Sequence, residues 1–279
     1  MKKYFALFIG LALLLPAIAQ DEDQKDQPER NAFETSILID NQTVVSPLQG
    51  GFEFEIHHRF GKVNNGITDI FGIYAPSNIR LGFNYGITDR MMLGVGTTKD
   101  YKLQDLQWKY AILRQTRSGS MPVTVSYYGN VVLDAREKAN FGPEDSYKSI
   151  HRLSYFSQLI VAKRFNFKYS MQVAPSFIYF NAVEEGRKNA NFGIHAGGKA
   201  NVLGSASIIA EYDQLLTGQD GYEPKPNLAV GVEFSTATHC FQIFAANYSQ
   251  IINQRNLLYN TNDFAGGDYL LGFNITVRF

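Results

Sequence analysis

The chain has 279 residues with 26 basic and 26 acidic side chains, so its formal net charge is zero and it has no overall basic character suited to nucleic acid. One cysteine excludes an internal disulfide. The mean hydropathy of -0.18 excludes a bundle of membrane-spanning helices, but it permits a β-barrel, in which only every second residue faces lipid.

Residues 1–19 are predicted to be a signal peptide. Lys2 and Lys3 precede an apolar stretch over residues 4–15, and Pro16-Ala17-Ile18-Ala19 follows with the A-x-A pattern of a cleavage site. The apolar stretch is shorter than the ~20 residues that a spanning helix needs. We therefore expect the chain to be exported and to begin at Gln20 after cleavage.

Residues 20–49 separate the signal peptide from the first clear strand. Residues 21–30 are charged and are predicted to form a disordered tail. Residues 33–48 include the apolar run Ile37-Leu38-Ile39 and the β-branched run Thr43-Val44-Val45. Three arrangements remain open for this segment: a plug inside a barrel, an ordered periplasmic lead-in or partial strand, and a thirteenth strand.

Residues 50–279 show apolar side chains at every second position, which predicts β-strands. In the last strand, apolar residues alternate with polar or small ones from Tyr269 to Phe279. About twelve such strands, each of roughly ten residues, suit a membrane barrel. They are predicted to begin near residues 52, 78, 90, 104, 122, 152, 167, 190, 205, 227, 239 and 269.

The connections between these strands are predicted to alternate between long and short. Outer-membrane barrels have long outer loops and short periplasmic turns, whereas a soluble sandwich has no reason to alternate in this way. The pattern predicts an all-β fold, a transmembrane antiparallel up-and-down β-barrel of about 12 strands. We expect its location to be the outer membrane of a Gram-negative bacterium, in contact with outer-membrane lipid.

Several motifs resemble those of an uncharacterised bacterial outer-membrane β-barrel family, a domain of unknown function. They are His58-Arg59-Phe60-Gly61, Asn78-Ile79-Arg80-Leu81-Gly82, Tyr85-Gly86-Ile87-Thr88-Asp89-Arg90, Lys109-Tyr110 with Arg114-Gln115, His151-Arg152-Leu153-Ser154-Tyr155 and Gly272-Phe273-Asn274. They cover most of the predicted mature chain. The resemblance implies a barrel in the outer membrane, and it implies no activity.

Strand alternation also predicts which charged side chains face the lumen. The predicted lumen-lining residues are Glu53, Glu55, Arg59, Arg80, Lys109, Arg152 and Glu233, and Lys168, Lys199, Glu211, Asp213, Asp268 and Arg278 are placed on the same side. The two signs nearly balance, which favours mutual pairing over a charge-selective pore. We therefore expect a largely occluded lumen, with a narrow open path as the alternative.

The sequence shows no convincing catalytic or metal-binding motif. His57 and His58 are adjacent on a strand, so they point to opposite faces and cannot bind one ion together. His151 and Ser154 also fall on opposite faces, and His195 has no obvious serine partner in sequence. We expect no enzymatic activity, no cofactor and no metal.

The architecture predicts a channel or transporter for small solutes. The alternative is a structural or partner-docking barrel with an occluded lumen, which would bind another protein of the cell envelope. The solute is not indicated by any motif.

Overall fold

The structure is a computed structural model that describes residues 26–279. The predicted signal peptide and the first residues of the predicted tail lie outside the described residues. Within residues 26–279, no helix is both long enough and apolar enough to cross a membrane.

The regular elements are two short strands, twelve long strands and one α-helix in the part of the chain that the structure describes. The short strands are β1 (Ile37–Leu38) and β2 (Asn41–Gln42), and the helix is α1 (Asn253–Tyr259). The long strands are β3 (Phe52–Lys62), β4 (Asn78–Thr88), β5 (Met91–Thr98), β6 (Leu103–Leu113), β7 (Thr124–Asp134), β8 (Leu153–Arg164), β9 (Tyr169–Phe180), β10 (Ala190–Leu203), β11 (Ala206–Leu215), β12 (Asn227–Ser235), β13 (His239–Ala246) and β14 (Leu270–Arg278).

The twelve long strands form a closed antiparallel barrel. Each strand pairs with the next one in sequence, and β14 pairs back with β3, where Ile275 lies opposite Ile56. Closure leaves no strand edge whose N–H and C=O groups would be unpaired in lipid. The prediction of an antiparallel up-and-down barrel of about twelve strands is confirmed.

The outer surface of the barrel is apolar because successive side chains point to opposite faces. Along β9, Tyr169, Met171 and Val173 are exposed, whereas Ser170 and Gln172 between them are buried. The same alternation recurs along the other long strands. The exposed apolar side chains therefore form the surface that faces lipid in a membrane barrel.

The connections define two ends of the barrel, which we call the turn end and the loop end. The turn end carries short connections such as Asp89–Arg90, and the C-terminal Phe279 lies there, bonded through its N–H to the carbonyl of Phe52 at 2.9 Å. The loop end carries the longest connections, which include residues 135–152 and 247–269. Long and short connections therefore segregate largely as the sequence predicts.

Two connections depart from that prediction. The β5–β6 connection at the loop end spans only residues 99–102, and the β6–β7 connection at the turn end spans residues 114–123. The N-terminal segment docks against the second connection. The Glu29 N–H donates to the Gln115 carbonyl at 2.8 Å, and the Arg117 N–H donates to the Gln27 carbonyl at 3.0 Å.

Residues 33–45 lie inside the barrel, and we call this segment the plug. Strands β1 and β2 form a small hairpin within it, with Ile37 opposite Gln42 and Leu38 opposite Asn41. The plug enters from the turn end, and the chain leaves there again, where the Gly50 N–H donates to the Gly86 carbonyl at 2.9 Å. Of the three arrangements that the sequence leaves open, the structure has the one inside the barrel.

The barrel interior has an apolar side and a polar side. Strands β8, β9 and β11 turn Phe156, Ile160, Ile178 and Ile209 inward, and these side chains pack with the plug in one buried cluster. Strands β3, β4 and β6 instead turn charged and amide side chains inward. The plug contacts both sides.

Candidate functional site in the plugged lumen

The tip of the plug is a strained turn held by the barrel wall. Ile39 has a φ of 50°, which a β-branched residue rarely adopts. Its N–H donates to Gln242 Oε1 at 3.2 Å, and its carbonyl accepts from Asn274 Nδ2 at 2.6 Å. Strain of this kind persists only where the surroundings hold it, and it is concentrated at functional sites.

A buried ion pair fixes the plug tip to β3. Arg59 Nη2 donates to Asp40 Oδ1 at 2.6 Å, and both side chains are inaccessible to solvent. The Arg59 guanidinium also lies over the Phe244 ring, 4.5 Å from its centroid. From β11, Glu211 accepts hydrogen bonds from the N–H groups of Asp40 and Asn41, each at 3.2 Å. The tip is thereby clamped between two charged wall residues.

A second charged group joins strands β3, β4 and β6 on the polar side of the lumen. Arg80 on β4 donates to both carboxylate oxygens of Asp105 on β6, at 3.0 and 2.7 Å. Its Nη1 donates to Glu55 on β3 at 3.0 Å. Glu55 in turn accepts from Ser36 of the plug at 2.8 Å. Bidentate arginine–carboxylate pairs are among the strongest hydrogen bonds in proteins, so Arg80 organises this side of the wall.

The Lys109 side chain holds the plug by hydrogen bonds to the plug's backbone. Its Nζ donates to the carbonyls of Ser36 and Val45, at 3.0 and 2.8 Å, and thereby joins the two ends of the plug. On β9, Gln172 Nε2 donates to the Gln42 carbonyl at 2.9 Å. These contacts add to the plug's own hydrogen bonds, since the Ser36 carbonyl also accepts from the Thr43 N–H at 2.8 Å.

Inward glycines make room for the charged wall. A Cβ on Gly96 would lie 2.4 Å from Arg80 Nη2 and 2.5 Å from Asp105 Oδ1. A Cβ on Gly94 would lie 2.1 Å from the side-chain oxygen of Asn84. The glycines of β5 are therefore required by the bulk of their neighbours and do not form a phosphate-binding loop.

Six of the seven predicted lumen-lining residues are buried inside the barrel. They are Glu53, Glu55, Arg59, Arg80, Lys109 and Glu233. Arg152 does not line the barrel wall: it ends a 3-10 helix just before β8 and lies at the loop end. Lys168 and Asp268 were also wrongly placed inward, because both fall in connections, where strand alternation does not apply.

His195 has a serine neighbour that the sequence did not reveal. Its Nε2 lies 2.9 Å from Ser176 Oγ on β9, and its Nδ1 lies 2.9 Å from Asp213 on β11. The order serine, histidine, aspartate is that of a hydrolase triad. However, Asn41 of the plug also contacts His195 Nδ1 at 2.8 Å, and Ser176 is buried. The group thus forms part of the plug's hydrogen-bonded surroundings.

The two strand histidines lie on opposite faces of β3. His57 is buried with its Nε2 3.6 Å from Glu55, whereas His58 stacks on Phe273 with ring centroids 5.0 Å apart. Within residues 26–279, no group of three or more histidine, cysteine, aspartate or glutamate side chains is placed to hold a metal ion.

Helix α1 contacts the plug tip and the barrel wall from the loop end. Asn253 Nδ2 donates to the Asp40 carbonyl at the plug tip at 3.1 Å, and Gln254 Nε2 donates to Asn130 on β7 at 2.9 Å. The helix was not predicted, because it lies within a connection and is too short to show a periodic pattern. Plug and helix therefore meet inside the barrel.

Arginine and tyrosine side chains gather around α1 at the loop end. Arg152 Nε donates to the Tyr147 hydroxyl at 2.6 Å, and this hydrogen bond lowers the pKa of Tyr147. Burial raises the pKa of Tyr259, whose hydroxyl donates to Glu184 at 2.7 Å. The loop end thus holds charged groups in a partly enclosed space.

A closed barrel with an apolar exterior and a polar, plugged interior defines a membrane-embedded β-barrel protein. Residues 33–279 match the family described as "Membrane bound beta barrel domain (DUF5777)". The chain belongs to this family, a domain of unknown function, and the resemblance drawn from its motifs is confirmed.

The chain is similar to solved structures at low sequence identity. No curated protein matches the sequence significantly. Among solved structures, the KdgM porin is similar with a TM-score of 0.47 at 8% identity, over 82% of this chain and 98% of the porin. The CymD monoaromatic hydrocarbon channel has a TM-score of 0.39 at 10% identity, over 83% and 88% of the two chains. LpxR from Salmonella typhimurium has a TM-score of 0.38 at 11% identity, over 82% and 99%.

Proposed function

We propose that the chain is an outer-membrane channel for small solutes in Gram-negative bacteria, with a lumen that the plug closes. The observation that carries this proposal is the polar attachment of the plug. Arg59, Lys109 and Asn274 on the wall bind Asp40 or plug carbonyls through hydrogen bonds. Water can make the same hydrogen bonds once the plug moves. The wall of β3 to β6 would then line an aqueous path.

If the lumen were filled only to stabilise the barrel, we would expect apolar side chains where the charged ones lie. Buried charges cost desolvation energy, and apolar replacements are often equally stable or more stable. The polar side of the lumen nevertheless carries Arg59, Arg80 and Lys109, all buried. Their presence favours an interior that is hydrated in part of the protein's working cycle.

The proposal is tested by electrical conductance across a planar bilayer. In the test variant, residues 33–45 are replaced by a glycine–serine segment of equal length, so that the attachment at both ends is kept. We expect the intact protein to be nearly silent and the variant to show discrete openings. A well-folded variant that remained silent would contradict a channel function.

A matched control separates opening from general damage. Residues 216–226, a loop-end connection of similar length, can be replaced by the same kind of glycine–serine segment. This change leaves the plug and its wall contacts in place, so we expect conductance to stay at the level of the intact protein. Folding of each protein is checked by its mobility before and after heating in gel electrophoresis.

A sealed, partner-docking barrel is the second candidate function. It is favoured by the apolar side of the lumen, where Leu38 and Ile39 pack in one cluster with Ile160, Ile178 and Ile209. In that case the occluded barrel would support an envelope partner and would never conduct. Rare openings of the intact protein distinguish the two functions, because a sealed barrel does not conduct while its plug is in place.

We also propose that the chain is not a hydrolase, despite the contact between Ser176 and His195. Ser176 pairs with Gly193 on β10 and with Gln158 on β8, so the strand around it is bonded on both sides. Those amides are then committed to the sheet and cannot form an oxyanion hole. We expect no labelling of Ser176 by a fluorophosphonate probe, measured by mass spectrometry on the intact and the plug-replaced protein. Labelling that is lost in Ser176→Ala would show a reactive serine instead.

A further inference from the structure

Four arginines from three loop-end connections form one cluster, and three of them contact two tyrosine rings. The members of this arginine cluster are Arg136, Arg152, Arg187 and Arg255. The Tyr101 ring lies under Arg136 and Arg255, with guanidinium carbons 4.4 and 3.6 Å from its centroid. The Tyr259 ring lies under Arg187 and Arg255, at 4.6 and 4.3 Å. Cation–π contacts hold the guanidinium groups but do not neutralise their charge.

Two members of the cluster have carboxylate partners. Arg136 Nε and Nη2 donate to Asp134, at 2.9 and 2.7 Å from its two oxygens. Arg187 Nη1 donates to Glu184 at 3.3 Å. These two pairs leave the cluster with a surplus of positive charge.

The other two members, Arg152 and Arg255, form no ion pair with a carboxylate within residues 26–279. Arg152 donates to the Tyr147 hydroxyl and to the backbone carbonyls of Asp134 and Arg136, which are neutral groups. Arg255 is only 7% exposed, and its Nε has no hydrogen-bond partner within the described residues. A guanidinium that is buried without an acceptor is costly, because it has lost its hydration without replacement.

Both of these arginines line one cavity. Its volume is about 290 Å³, and its lining includes Asp134, Arg136, Arg152, Glu184, Arg255 and Tyr259. A volume of this size is many times the ~10–15 Å³ needed to hold one water molecule. The cavity is therefore large enough for a small organic anion.

We propose that this loop-end cavity binds a small solute through a carboxylate or phosphate group, with Arg255 and Arg152 as its ligands. Guanidinium groups bind these oxyanions with paired, charge-assisted hydrogen bonds. The buried Nε of Arg255, which has no hydrogen-bond partner within the described residues, supplies a donor that such a group needs. Tyr259 and Leu103, which also line the cavity, offer apolar surface to the rest of the solute. This inference goes beyond the proposed channel, because the cavity can bind an anion whether or not the lumen conducts.

The test is isothermal titration calorimetry on the intact barrel in a nonionic detergent. The ligands are inorganic phosphate, succinate and the neutral analogue succinamide. We expect binding of phosphate or succinate and no binding of succinamide. Phosphate binding without succinate binding would identify a phosphate site, and the reverse would identify a carboxylate site. Absence of binding by both anions would overturn the proposal.

Variants of the same residue type locate the site. Arg255→Gln is expected to weaken anion binding by at least about tenfold, the effect of losing charged hydrogen bonds. Arg187→Gln is the matched control, because Arg187 belongs to the cluster but already has Glu184 as its partner. Equal affinity in Arg255→Gln and the intact protein would overturn the assignment. If Arg255→Gln fails to fold, Arg152→Gln is measured in its place and should show the same weakening.

Discussion

Replacing Arg80 with alanine is expected to destabilise the barrel more than any exposed substitution of the same kind. The change would leave Glu55 and Asp105 buried on the wall without the cation that both of them contact. Loss of one partner from a buried ion pair typically costs about 3–5 kcal/mol. The measurement is equilibrium unfolding in urea, followed by the loss of the folded band in unheated gel electrophoresis.

Arg117→Ala is the matched control for this prediction. Arg117 is exposed in the turn-end connection between β6 and β7, so its removal is expected to change stability by no more than about 0.5 kcal/mol. A loss of stability no larger in Arg80→Ala than in Arg117→Ala would show that the charged wall is not a structural unit.

Replacing Asp40 with alanine is expected to open the lumen, although the plug segment stays part of the chain. Arg59 would then be buried without its carboxylate partner, and it could regain hydration only if the plug left and water entered. If the substitution makes the closed state less favourable relative to the open state by about 3 kcal/mol, the fraction of open barrels rises by roughly a hundredfold. The frequency of openings in a planar bilayer measures this change.

The control for Asp40→Ala removes a carboxylate that does not contact the plug. Asp220 is exposed at the loop end, 3.9 Å from Lys188, and exposed pairs at this distance contribute little. Asp220→Ala is therefore expected to open as rarely as the intact protein. Equal opening frequencies in Asp40→Ala and Asp220→Ala would show that the Arg59–Asp40 pair does not hold the lumen closed.

The barrel strands could be predicted because each one meets the same physical requirement. Lipid requires an apolar outer side chain at every second position, so strands such as β9 and β14 carry the pattern in their own sequence. The same pattern identified inward side chains, including Glu55 and Lys109, wherever the strand assignment was right. It failed for Arg152, because the strand begins one residue later, at Leu153.

The arrangement inside the lumen could not be predicted, because it depends on register between strands far apart in sequence. Ser176 meets His195 only through the pairing of β9 with β10. Asp40 belongs to a segment too short for a periodic signal, and its partner Arg59 was found only as an inward charge. The near balance of inward charges was the available signal for pairing, but it did not indicate the partners.

The most direct test of the account is whether residue 36 is shielded inside the folded barrel. Ser36 is fully buried in the plug, whereas Gln49 is exposed just after it. Single cysteines are placed at these positions by Ser36→Cys and Gln49→Cys in a Cys240→Ala background, and labelling by a charged, water-soluble maleimide is timed. We expect rapid labelling at position 49 and strong protection at position 36, with both sites reactive after denaturation. Equally rapid labelling at both positions of the folded protein would contradict a plug that seals the lumen.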